Sequence, residues 1–249
     1  TGNAPVIAAE IDQVCREIGF FAVTGHGVPE ALIAETRTRA EQFFALAEEE
    51  KLKVKRPPQK ISRGYNPFAD RSLSYSLGIE APPDLQEAFA FGQDSLPAGM
   101  TLDDDTANAM WAPNLWPENP PEFRAAMMDY YETMNDLGMR LLAIMTHALG
   151  VERTFFEDKF DHHAGVARAI HYPAQKDAPV EGQIRAGKHT DYGAVTFVRG
   201  DNVPGGLQVK LRHGGWVAAE PPPRPLLGTT AAPTERCPHA PWVSTPPRV

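Results

Sequence analysis

Apolar positions recur at helical spacing over residues 5–18, where Val6, Ile7, Ile11, Val14, Cys15 and Ile18 form one stripe. Gly19 ends that helix. Phe20-Phe21-Ala22-Val23-Thr24 then reads as a short buried strand, closed by the turn Gly25-His26-Gly27-Val28-Pro29. A second amphipathic helix runs from about Pro29, a residue compatible with a first helical turn, through Leu32, Ile33, Phe43, Phe44 and Leu46. Residues 51–118 are less regular. The basic run Lys51, Lys53, Lys55 and Arg56 is read as a solvated helix end, where the dipole favours cations. Arg63-Gly64-Tyr65-Asn66-Pro67-Phe68 is a turn followed by aromatics, and Leu85 to Gly92 predicts a short strand. Pro113, Pro117, Pro120 and Pro121 punctuate a linker. The longest predicted helix follows, from Pro121 to Leu149. Phe123, Met127, Tyr130, Tyr131, Met134, Leu137, Leu141, Leu142 and Met145 lie along one side of it, a stripe read as core and not as a cofactor box.

Beyond residue 165 the period changes. Strand-like runs at Val166–Tyr172, Gly193–Val198, Leu207–Lys210 and around Trp216-Val217 alternate with Gly, Pro, Asn and Asp turns, the pattern of an all-β sandwich or barrel. The predicted class is therefore α+β with a mainly β core. Residues 1–118 form an N-terminal region, and residues 119–249 a long supporting helix followed by the β core.

Composition narrows the function classes. The 249 residues are 42% hydrophobic and 22% charged, which is globular, and the formal charge of −8 argues against nucleic acid as a partner. No apolar run approaches the ~20 residues of a membrane span, so no membrane partner is expected. The two cysteines, Cys15 and Cys237, are far apart and form no Cys-x-x-Cys pair. That fits a reducing, cytoplasmic location and excludes both a disulfide framework and a thiolate zinc site. A monomer acting on a small molecule is the expectation. The chain opens without Met and stops at Arg248-Val249, as a fragment at both ends would.

The candidate chemistry sits in Gly187-Lys188-His189-Thr190-Asp191-Tyr192-Gly193. If this stretch opens the strand at 193–198, His189 and Asp191 project from one face and form a chelating pair suited to a ferrous ion. Alone the pattern is weak, because chance supplies roughly 0.4 His-x-Asp matches in a chain of this composition. The other histidines carry less. His26 is read as structural, His213 as a hairpin-turn residue between Arg212 and Gly214, and His239 as an exposed loop residue.

The flanking blocks change that weight. Ile18 to Val28 resembles the N-terminal signature of the isopenicillin N synthase-like, Fe(II)/2-oxoglutarate-dependent dioxygenases, and Arg63-Gly64-Tyr65 with Pro67-Phe68 is similar to the family's next block. His171-Tyr172-Pro173, residues 187–193, Pro204 to Val209 and Trp216-Val217 resemble the start of its catalytic core, in the family's order over residues 5–220. The resemblance implies a double-stranded β-helix (jelly roll). It also implies a mononuclear Fe(II) centre that couples decarboxylation of 2-oxoglutarate by O2 to hydroxylation, desaturation or ring closure of a small organic substrate. An oxidase that dispenses with 2-oxoglutarate belongs to the same family and stays open as an alternative. Two histidines and one carboxylate on one face of an iron leave three positions for oxoacid and oxygen. Carried over residue by residue, His189 and Asp191 would be two metal ligands, and Tyr172 would line the 2-oxoglutarate pocket. Arg168 is as readily a structural ion-pair partner.

The pattern then breaks. The family's distal segment, Trp-x-Ser-Thr-x-His-Arg-Val, is met by Trp242-Val243-Ser244-Thr245-Pro246-Pro247-Arg248-Val249. The third ligand is not identifiable, because Pro247, 56 residues beyond Asp191, stands at the histidine's position. The family's co-substrate arginine would lie further on. Seven prolines in residues 221–241 argue against a central strand there, since each removes a ladder donor. Loss and recovery of the pattern in register is what local coding errors or compensating frameshifts produce. The alternative to an oxygenase is accordingly an inactive or truncated homologue, a binding module without a complete iron site.

Overall fold

The computed structural model describes residues 3–58, 61–94, 96–101, 105, 111–175, 177–191, 193–200, 206–219, 226–230 and 242–249. Helix α1 is Ala4–Glu17, followed by strand β1 at Phe20–Val23, α2 at Glu30–Phe44 and a short α3 at Glu48–Leu52. Strand β2 (Gly64–Asn66), a 3-10 turn (Leu73–Leu77) and β3 (Glu87–Gly92) lead to the long helix Phe123–Leu149 and a short helix Glu157–Phe160. The remaining strands are β4 (Val166–His171), β5 (Val195–Val198), β6 (Gln208–Lys210), β7 (Trp216–Ala218), β8 (Leu226–Thr230) and β9 (Pro247–Arg248). Among the described residues they form three antiparallel sheets, ordered β1-β8-β5, β2-β3-β4 and β7-β6-β9.

The long helix is the spine. Phe123, Met127 and Tyr131, four residues apart, sit in an aromatic cluster with Phe43, Tyr65, Phe89 and Phe91. Leu137 packs with Val28, Ile33 and Leu226, and Leu141, Leu142 and Met145 with Ile11, Cys15 and Trp242. One predicted stripe thus feeds three core clusters, with Tyr130 and Met134 half-buried at its margin. Burial pushes the Cys15 thiol up to about 12, so it packs as a small hydrophobe and not as a nucleophile.

Two expectations are corrected. A central strand does exist in the proline-rich stretch: Leu226–Thr230 lies between β1 and β5, pairing Thr229 with both Phe20 and Thr196. The prolines flank this pentapeptide without entering it, so all of its ladder donors survive. Gly228 lets the Phe21 ring lie against the strand, since a Cβ there would fall 2.4 Å from a ring carbon. The second correction concerns the basic run. Lys51 is only 8% exposed, and its ammonium contacts Glu87 at 2.7 Å and the Phe44 carbonyl at 3.2 Å. Lys53, by contrast, is exposed and pairs with Glu50, as a solvated helix end should.

The C-terminal residues are built into the core. Trp242, 1% exposed, donates its indole N–H to Asp12 on α1 at 2.7 Å. Thr245 donates to the Ile18 carbonyl, and Val243 donates its N–H to Cys15 O at 2.8 Å. Trp242→Phe keeps the apolar ring and removes one charge-assisted hydrogen bond. We expect a loss of about 2 kcal/mol, read as a lower midpoint in thermal or urea unfolding. An unchanged midpoint would show that Asp12 contributes nothing to holding this segment.

Candidate metal centre

The stretch Ile184 to His189 runs between two flanking segments. On one side the C-terminal residues pair with it: Ala186 and Val249 exchange backbone hydrogen bonds of 2.9 and 3.0 Å, and His189 N–H reaches the Pro247 carbonyl at 3.4 Å. On the other side Pro83 to Leu85 dock against it. Leu85 N–H donates to Ile184 O at 3.0 Å, Gln183 donates its side-chain amide to Pro83 O at 2.9 Å, and Gly187 N–H donates to Asp84 Oδ1 at 3.0 Å.

His189 and Asp191 do not belong to a strand; β5 begins only at Val195. They converge nevertheless. His189 Nε2 lies 3.9 Å from Asp191 Oδ1, with both side chains about four-fifths buried. His189 Nδ1 is 2.7 Å from the Gly187 carbonyl, an acceptor that requires the proton to sit on Nδ1. In the neutral ring Nε2 is then the nitrogen with the free lone pair, and it faces the carboxylate. This is the arrangement in which an imidazole ligates a metal while its other nitrogen is held by a carbonyl.

Beside this pair lies Asp84, 2% exposed. Its carboxylate accepts from Leu73 N–H at 2.8 Å, Gly187 N–H at 3.0 Å and Ser72 Oγ at 3.3 Å. Burial raises its proton affinity more than these hydrogen bonds and the neighbouring His189 imidazole lower it. Tyr172, just past β4, is within electrostatic reach of Asp84 and of Arg185, whose guanidinium carbon is 6.0 Å from its ring centre. Burial is the main cause that pushes its hydroxyl up to about 12, so Tyr172 is a neutral donor at physiological pH.

The other candidates separate from this centre. His26 accepts from Val28 N–H at 3.1 Å, a turn contact as expected. His213 sits in the turn Leu211 to Gly215 joining β6 and β7. Arg168 is on the exposed face of β4, and His239 falls outside the described residues. Sequence reasoning missed Asp84: an Asp after two prolines signals a turn, and its contact with Gly187 spans 103 residues.

The donor set fits an iron only in part. Pro247 is where the third ligand is expected, beside His189, but its ring carries no donor atom. Among the described residues no group of three His, Cys, Asp or Glu side chains could hold a metal. No helix among them is long and apolar enough to cross a membrane.

Comparison with known proteins agrees with the architecture. The family described as non-haem dioxygenase in morphine synthesis, N-terminal, matches residues 2–119. A homoarginine-6-hydroxylase of Arabidopsis thaliana is 36% identical over 223 residues, 87% of this chain and 64% of that protein. A 2-oxoglutarate-Fe(II) type oxidoreductase of Emericella nidulans is 30% identical over 219 residues, 86% of this chain and 61% of the relative. The chain therefore spans under two thirds of the length of these curated relatives. The crystal structure of a 2OG-Fe(II) oxygenase family protein from Caulobacter crescentus superposes with a TM-score of 0.83 at 28% identity, covering 100% of this chain and 76% of that one. With the jelly-roll architecture, these likenesses support assignment of the chain to the isopenicillin N synthase-like 2-oxoglutarate/Fe(II) dioxygenase family.

Proposed function

We propose that the protein is an Fe(II)- and 2-oxoglutarate-dependent oxygenase of a small organic molecule, with His189 and Asp191 as the iron ligands this chain supplies. The observation that carries this reading is the 3.9 Å approach of His189 Nε2 to Asp191 Oδ1, with the Nδ1 proton already committed to Gly187 O. Bound iron would supply the coupling of 2-oxoglutarate decarboxylation to substrate oxidation. The chain's own part is to orient the imidazole, to keep the site largely out of water and to present the neutral Tyr172 hydroxyl as a donor on the co-substrate side. A second reading is favoured by one specific observation: with Pro247 in the third position, the fold could serve as an inactive homologue that binds without turnover.

Anaerobic addition of Fe(II) and 2-oxoglutarate separates the two. The oxygenase reading predicts the visible charge-transfer band of a chelated oxoacid, abolished in His189→Ala, and succinate release once O2 is admitted. Absence of both band and succinate would overturn it and leave the binding module.

A further inference from the structure

We propose that Asp84 is the positioning residue for His189, acting through Gly187. The inference rests on the reading of His189 as a metal ligand, but its geometry is independent of any metal. Asp84 Oδ1 accepts from Gly187 N–H at 3.0 Å, and the carbonyl of the same residue lies 2.7 Å from His189 Nδ1. One carboxylate oxygen thus fixes the residue whose own oxygen fixes the imidazole. Gly187 cannot supply this restraint itself, because glycine has the widest backbone freedom of any residue. Nor can it be replaced by a stiffer residue: a Cβ there would sit 2.3 Å from Ser74 Oγ and 3.1 Å from Asp84 Oδ1. The site therefore needs glycine for space and an outside group for order, and Asp84 is that group.

Asp84 is itself anchored. Its second oxygen takes Leu73 N–H at 2.8 Å, Ser72 Oγ donates to the first at 3.3 Å, and Asp84 N–H donates to Arg71 O at 2.9 Å. These contacts tie the 71–84 stretch to the ligand segment. A carboxylate whose hydrogen bonds all serve backbone or hydroxyl groups is not a further metal ligand. Its action is on the imidazole, whose tautomer and orientation it holds, and a bound metal would feel it only through that ring.

The test reads the His189 ring by long-range proton–nitrogen NMR in the full, metal-free chain, at a pH well above the ordinary imidazole pKa of ~6.5. The wild-type ring should show the proton on Nδ1 alone. In Asp84→Ala both tautomers should appear, and Fe(II) affinity should fall about tenfold, the lower end for loss of a ligand's supporting partner. Asp84→Asn keeps one oxygen for Gly187 N–H, so it should retain the Nδ1 tautomer and most of the affinity, even if Asp84→Ala folds poorly. An Nε2-protonated wild-type ring would overturn the proposal. So would an unchanged single Nδ1 tautomer in Asp84→Ala, or an Asp84→Asn variant as mixed as the alanine. If no Fe(II) binds but the tautomer shift occurs, the metal reading has failed and the positioning role stands.

Discussion

Pro247→His will raise the anaerobic Fe(II) affinity of this chain on the order of a hundredfold, about 2.8 kcal/mol. The expectation follows from where Pro247 sits. Its carbonyl accepts His189 N–H at 3.4 Å, and it lies in β9, opposite Val209 of β6. A histidine at 247 would stand next to a His–Asp pair whose Nε2 and Oδ1 are already 3.9 Å apart. Two imidazoles and a carboxylate make the facial set suited to Fe(II), with the remaining positions open. Proline at 247 contributes no N–H to the ladder, so the change also adds a donor without removing one. Calorimetric or dialysis titration with Fe(II) checks it. An affinity equal to wild type would mean that residue 247 does not face the ion, and that the alignment of the distal segment is wrong.

Glu87→Ala will cost about 3–5 kcal/mol of stability, because it strands a buried ammonium. For a chain of this size that is a fall in Tm of about 10 °C. Glu87, 5% exposed, takes Lys51 Nζ at 2.7 Å and the Tyr65 hydroxyl at 2.5 Å on one oxygen, and His171 Nδ1 at 2.8 Å on the other. The network ties α3, β2, β3 and β4 together beneath the aromatic cluster. Lys51→Met should restore much of the loss in the double variant, since it removes the orphaned charge and keeps the apolar stem. The network also sets an acid limit. Burial alone would raise the Glu87 carboxyl, but hydrogen bonds from Lys51, Tyr65 and His171 outweigh it and hold the carboxyl below the usual range. A carboxyl depressed by folding stabilises fully above its unfolded pKa of ~4.3, and that stabilisation is lost as pH falls toward the folded value. Wild-type stability should therefore drop through this acid window. In Glu87→Ala that part of the slope should be missing, and a parallel slope in the variant would assign it to other carboxylates.

What the sequence revealed depended on how far apart the interacting residues lie. The α1 stripe and the 123–145 stripe are short-range periodicities, and both helices stand within two residues of their predicted ends. The His189–Asp191 pair is local too, although the residues meet in irregular backbone held by Gly187 O and Pro247 O instead of on a strand. The strand at 226–230 was hidden because prolines on both sides dominate any window wide enough to judge it. Lys51 reads as solvent-facing because its carboxylate lies 36 residues away, and Asp84 reads as a turn residue because its partner lies 103 residues away. Pairings at that separation come from tertiary docking, of α3 on β3 through Lys51 and Glu87 and of residues 83–85 on residues 183–187, and no local pattern announces them.

The most direct test of the account is the anaerobic Fe(II) stoichiometry of the full chain, measured by equilibrium dialysis beside His189→Ala and Asp191→Ala. One weakly held iron per chain is expected, lost in each variant while both keep the wild-type unfolding midpoint. Retention of iron at wild-type affinity in either folded variant would contradict it.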